Sequence, residues 1–154
     1  MSEADTLAAV VFRIGDLVCA APAGRVREVL PRLPVTRIPG VPFAVEGLVN
    51  VRGALLTVTD GHVLLGRPSR PGDEGAILVI DLGDRRFGLA VSQVLDFVEV
   101  PSSSVSPREE LPGVDPALVR AVAAYDDRYF ILLDIDALLA SVAGGNPEPL
   151  GGGQ

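Results

Sequence analysis

Apolar residues in this chain come in short runs broken by glycine, proline and aspartate, a pattern that predicts strands and tight turns rather than long helices. Val10-Val11-Phe12-Arg13-Ile14 and Leu17-Val18-Cys19-Ala20-Ala21 flank Gly15-Asp16, the turn chemistry of a hairpin. Residues 76–81 and 87–91 predict a second hairpin, followed by a strand over 94–100 and the loop Pro101-Ser102-Ser103-Ser104. Residues 45–51 and 55–59 predict a third, closed by Arg52-Gly53. Val35-Thr36-Arg37-Ile38 reads as a strand running into Pro39-Gly40-Val41-Pro42, a loop barred from a central ladder because proline has no donor. Residues 23–30, with apolar positions 26, 29 and 30, suit either a single helical turn or a bent strand that Pro31 ends. Asp60 is expected to cap a short helix holding His62-Val63-Leu64-Leu65, and Asp136 to cap Ala137-Leu138-Leu139.

The chain also repeats itself. The stretch from Gly47 to Asp60 lies without a gap on the stretch from Ala121 to Asp134, each a strand, a polar turn, a strand and an acid. Ile14-Gly15-Asp16-Leu17 echoes Leu82-Gly83-Asp84-Arg85. Many short strands at close spacing indicate an all-β barrel or sandwich with short helices, and the repeat indicates two small subdomains sharing a seam. One difference separates the copies: the first tip reads Asn50-Val51-Arg52-Gly53 and the second Ala124-Tyr125-Asp126-Asp127, so a cationic tip occurs once. The turn-rich residues 67–75 are expected to connect the copies. Residues 1–9 are expected to be flexible, 10–142 to form the domain, and the glycine- and proline-rich 143–154 to be a disordered tail.

A chain of 154 residues that is 48% hydrophobic can build a proper core. Its net charge of −7 opposes nucleic-acid phosphates and anionic membrane surfaces, and tryptophan, a strong stacking group for single strands, is absent. No apolar run approaches a membrane span, and the acidic start Met1-Ser2-Glu3-Ala4-Asp5 lacks the basic opening of a secretory signal, so a cytoplasmic location without membrane insertion is expected. The single cysteine, Cys19, reads as a reduced core thiol. Reactive chemistry is sparse. His62 reads as a helix-surface or partly buried residue and not an acid–base catalyst. Asp126, Asp127, Asp134 and Asp136 lack the loop spacing of a hard-cation site, and no phosphate-cradling glycine loop with its lysine is present, so neither metal nor cofactor is expected. Binding is left. Arg52, set among Gly47, Asn50 and Gly53, presents a planar fork suited to a partner's carboxylate or backbone oxygen.

Ile38-Pro39-Gly40-Val41-Pro42, then Gly47-Leu48-Val49-Asn50-Val51-Arg52-Gly53, then Asp60, resemble the CheW-like coupling domain of bacterial chemotaxis systems. The likeness runs from about Val10 to Ala140 and takes in Arg27-Glu28-Val29 and Leu132-Leu133-Asp134-Ile135-Asp136. It implies a fold of two SH3-like β-barrel subdomains sharing a hydrophobic seam. It implies, too, a non-enzymatic adaptor joining the cytoplasmic tip of methyl-accepting chemoreceptors to the regulatory domain of a chemotaxis histidine kinase. Carried onto this chain, the receptor-binding positions are Val26, Glu28, Val29, Gly47, Asn50, Arg52, Gly53, Val94 and Phe97, and the kinase-binding positions Leu55, Leu56, Thr57 and Val58. Three departures stand out: Thr57 where the family has proline, Gly61 where it has leucine, and Val91-Ser92-Gln93-Val94 for its Val-Asp-Xaa-Val. The first two motivate an alternative, an accessory protein that binds receptor but not kinase. A small enzyme built on His62 or the Asp134 region is the remaining alternative.

Overall fold

The structure, a computed structural model, describes residues 5–68, 75–107 and 111–143. The first copy supplies β1 (Thr6–Ile14), β2 (Leu17–Pro22), β3 (Val26–Pro31), β4 (Val45–Val51), β5 (Ala54–Asp60) and the short helix α1 (Gly61–Leu64). The second supplies β6 (Ala76–Leu82), β7 (Arg85–Val91), β8 (Gln93–Pro101), β9 (Val105–Pro107), β10 (Val119–Tyr125), β11 (Arg128–Leu133) and α2 (Ile135–Leu138), with α3 (Ala140–Ala143) beyond. Turn chemistry sets the hairpins. Gly15 and Gly83 take φ of +61° and +71°, the left-handed conformation that opens the β1–β2 and β6–β7 turns. Arg52-Gly53 and Asp126-Asp127 are left-handed at both positions, as a mirror-type two-residue turn demands.

The copies are interleaved rather than side by side. One sheet runs β8-β1-β2-β11-β10-β9 and the other β3-β6-β7-β5-β4. Each barrel therefore takes its central hairpin from one copy and its outer strands from the other. The registers repeat residue for residue: Phe12 lies between Cys19 and Val94 just as Ile80 lies between Phe87 and Val26. Even the bulges agree, with Arg27 the extra residue of β3 and Leu95 that of β8.

Alternation along the central hairpins divides the core into three layers. Val10, Phe12, Ile14, Cys19 and Ala21 meet Leu78, Ile80, Phe87, Leu89 and Val91 in a seam shared by the barrels, joined by Leu133, Ile135, Leu138 and Leu139. The residues between them point the other way: Ala9, Val11 and Ala20 fill one barrel with Val100, Ala123, Phe130 and Leu132. Ile77, Val79 and Ala90 fill the other with Leu30, Val49, Leu56 and Val58. Strands buried on both faces explain why the hairpin sequences read as nearly unbroken apolar runs.

Several expectations are corrected. β1 begins at Thr6, within the stretch expected to be flexible, because β8 continues to Pro101 and supplies partners that far. The strand expected over residues 35–38 is a single bridge, Thr36 with Leu48, since Pro34 and Pro39 remove donors on either side. Residues 23–30 are both of the offered forms, a 3-10 turn over Ala23–Arg25 running into β3. Asp134, not Asp136, caps α2, its carboxylate accepting from the Ala137 N–H at 3.0 Å. Asp136 lies inside the helix and pairs with Arg25 at 2.8 Å. The expected tail falls beyond the described residues from 144 onward, as do 69–74 of the connection.

Candidate protein-docking site

Strand register decides where each expected site residue points. Val26 and Val29 pair with Ile80 and Leu78, both seam residues, so their side chains stand on the seam side of β3. Val94 and Phe97 pair with Phe12 and Val10, also seam residues, and stand on the seam side of β8. Val26 and Val94 pack on the seam core from the two barrels, while Val29 is exposed and Phe97 is 65% exposed. Each barrel thus offers an edge strand with one inner and one outer apolar residue. Large exposed apolar groups so placed are what a docking face presents.

Glu28 belongs elsewhere. Its register partner Val79 faces the interior of the second barrel, and its carboxylate receives a hydrogen bond from the Arg52 guanidinium at 2.6 Å. Arg52 is therefore not an open fork but half of an ion pair that ties the β4–β5 tip to β3. The pair stands at a concavity of about 490 Å³ in the mouth of that barrel, lined by Val51, Leu56 and Val79 with the exposed Leu55 at its edge. Arg27, Arg52 and Arg86 rim it together with Glu28, Asp81 and Asp84. Asp81 pairs with Arg27 at 3.5 Å and with Arg86 at 3.3 Å. Three arginines and three carboxylates leave this rim formally neutral in a chain of net charge −7.

The other expected receptor positions build the site rather than line it. Asn50 accepts the Gly53 N–H at 2.8 Å through Oδ1 and closes the turn that carries Arg52. Gly53 supplies the left-handed second turn residue. Gly47 is buried at φ +150°, and a Cβ there would sit 2.1 Å from the Thr36 carbonyl oxygen. Of the expected kinase positions, Leu55 is 67% exposed, Thr57 is half-buried, and Leu56 and Val58 point into the barrel. β5 also lies between β4 and β7 and has no open edge. The sequence reading missed Arg27 and Arg86, whose signal was only their place on a bulge and beside a turn, and Phe43, 89% exposed ahead of β4.

His62 is buried. Its Nε2 lies 3.0 Å from Ser92 Oγ, which also accepts the Gly15 N–H at 2.9 Å. The trio forms a polar strut from α1 across to the start of β8. Asp60 accepts the His62 backbone N–H at 2.8 Å, the expected cap. Cys19 is wholly buried, and burial pushes its thiol up to about 12. Among the described residues no group of histidine, cysteine and carboxylates could hold a metal ion.

Two interleaved barrels with exposed apolar edges, a charged apolar mouth and polar groups committed to structure define a protein-docking scaffold. The chain belongs to the CheW-like domain family, whose sequence profile matches residues 8–143. This is a family of chemotaxis scaffolding adaptors, not of enzymes. The chain is similar to the chemotaxis protein CheW of Rhizobium meliloti, 29% identical over 134 residues, covering 86% of each chain. Protein PilI of Pseudomonas aeruginosa is 37% identical over 108 residues, 70% of this chain and 60% of PilI. The crystal structure of the scaffolding protein TtCheW from Thermoanaerobacter tengcongensis superimposes with a TM-score of 0.80 at 26% identity, covering 90% of this chain and 94% of that one.

Proposed function

We propose that this protein is the adaptor that couples methyl-accepting chemoreceptors to a chemotaxis histidine kinase, acting in the cytoplasm. The observation that carries the reading is the paired edge: Val29 on β3 and Phe97 on β8 occupy equivalent registers, both exposed and both on the seam side. A helical receptor tip laid along the seam would bury both, with Val26 and Val94 beneath, and the Glu28–Arg52 pair at the border would set its register. The kinase regulatory domain would take the neighbouring mouth, where Leu55 projects. No helix among the described residues is long and apolar enough to cross a membrane.

The accessory alternative rested on Thr57 and Gly61, and packing accounts for both. Thr57 lies in the middle of a sheet, paired with Phe87 and Leu48. Gly61 is buried where a Cβ would sit 2.6 Å from the Ala90 carbonyl oxygen. Gly61 strips no exposed contact, and the half-buried Thr57 leaves the exposed Leu55 beside it in place, which supports the coupling reading. The test is titration of the purified protein with a receptor cytoplasmic fragment and, separately, with the kinase regulatory domain. Phe97→Asp is expected to abolish receptor binding and leave the kinase untouched. Receptor affinity unchanged in Phe97→Asp would refute the placement, and binding of receptor alone by the parent protein would establish the accessory role.

A further inference from the structure

The internal repeat shows what the mouth of the second barrel lacks. Leu56 and Phe130 are equivalent residues, paired with Val49 and Ala123 at matching registers. In the β10–β11 barrel, wholly buried Phe130 fills the interior. In the β4–β5 barrel the smaller Leu56 stands there and the concavity of about 490 Å³ is open above it. Its size lies within the range of sites that take a small ligand or an anchoring side chain. The chain supplies no aromatic ring at this mouth among the residues that line it.

The rim chooses the neighbours of the missing group. Side chains of Arg27, Arg52 and Arg86 are 52%, 70% and 53% exposed, whereas their carboxylate partners Asp81 and Glu28 are 30% and 35% exposed. Asp84, at the β6–β7 tip, is the remaining acid of the rim and is also exposed. The guanidinium groups thus stand outermost around an apolar floor, each already engaged by one recessed carboxylate and each retaining further donors. A group entering here must be apolar at its centre and is favoured by carboxylates around it.

We propose that this mouth is a socket for a bulky apolar side chain, an aromatic ring by analogy with Phe130, presented by a partner protein between acidic residues. The inference rests on the coupling reading and names how the kinase regulatory domain engages: by one buried anchor, with Arg27, Arg52 and Arg86 receiving the acids beside it. A central anchor in a desolvated pocket, ringed by polar contacts, is the usual form of an interface hot spot.

Two measurements separate this inference from the reading beneath it. First, NMR titration of the protein with a short peptide holding phenylalanine between glutamates should shift the signals of Val51, Leu55, Leu56 and Val79, and a lysine-flanked peptide should shift them less. No shift at these residues, or equal shifts from both peptides, overturns the socket whatever the kinase does. Second, Ala54→Trp places a ring over the mouth from an exposed position at the start of β5, outside the core. It should weaken kinase binding by about tenfold or more, the scale of a lost anchor, and leave receptor binding unchanged. The surface variant Arg86→Glu should weaken it by a smaller factor that shrinks with added salt. Kinase binding unaltered in both variants overturns the socket while the coupling function stands. Peptide binding at the mouth without any kinase binding by the parent protein supports the socket and overturns the coupling reading.

Discussion

Gly47→Ala tests whether this glycine faces a partner or holds the barrel together. Gly47 lies at φ +150°, a region costing an alanine about 1–3 kcal/mol. The new Cβ would meet the Thr36 carbonyl oxygen at 2.1 Å, its carbonyl carbon at 2.8 Å and a Val35 methyl at 2.8 Å. Thr36 must then withdraw, and with it go the two bonds of its bridge to Leu48, each 2.8 Å. At roughly 1 kcal/mol per backbone bond, the total reaches about 4 kcal/mol. In urea, with a denaturant slope of about 2 kcal/mol per molar, the unfolding midpoint followed by circular dichroism should fall by about 2 M. Residual folded protein should bind receptor with parent affinity, because no side chain of the docking face has changed. A midpoint within about 0.3 M of the parent, combined with lost receptor binding, would refute the structural role and return Gly47 to the interface.

Four further outcomes are expected. Asp134→Ala removes the cap of α2 and should lower stability by about 1 kcal/mol in urea unfolding. Asp136→Asn should cost less, and its gap to the parent should close on acidification: Arg25 holds the Asp136 carboxylate low, so its contribution exists above the unfolded value and is lost as pH falls through the folded one. The raised Cys19 thiol works in the opposite sense, its stabilisation complete below about 9.0 and lost as pH climbs toward about 12. The parent should therefore lose stability relative to Cys19→Ala, in which all other groups are shared, at up to about 1.4 kcal/mol per pH unit; parallel profiles would show that unfolding does not release this thiol. Finally, a chain cut between Pro68 and Gly75 should yield halves that are unfolded when separate and folded when mixed, since each sheet needs strands from both. A half that folds alone, judged by dispersed amide signals, would refute the interleaved topology.

The hairpins were legible because Gly15-Asp16, Arg52-Gly53 and Gly83-Asp84 carry their turn chemistry locally. The gap-free repeat marked equivalent residues correctly, and followed to its end it pairs Asp60 with Asp134, the cap that proximity to Ala137 had assigned to Asp136. Interleaving was not legible. Whether β8 joins β1 or β6 depends on pairings far apart in the chain, and the alternation of apolar residues is the same for either. The candidate site shows the same divide. Alternation along β5 already separates outward Leu55 and Thr57 from inward Leu56 and Val58, so half of the expected kinase strand could have been set aside. The Arg52–Glu28 pair could not have been foreseen from the turn alone, because barrel closure brings the β4–β5 tip to β3.

The chain crosses between the barrels twice, from β2 to β3 and from β7 to β8, and the inner faces of both close one apolar seam. Bending one barrel against the other would break no strand pairing but would open that buried seam to water, whereas domains joined by a linker part at little cost. Partners held at the seam and at the mouth are therefore held at a fixed bearing to each other. The protein works as a rigid bracket: displacement of one partner reaches the other as a turn of the whole body, undiminished by slack.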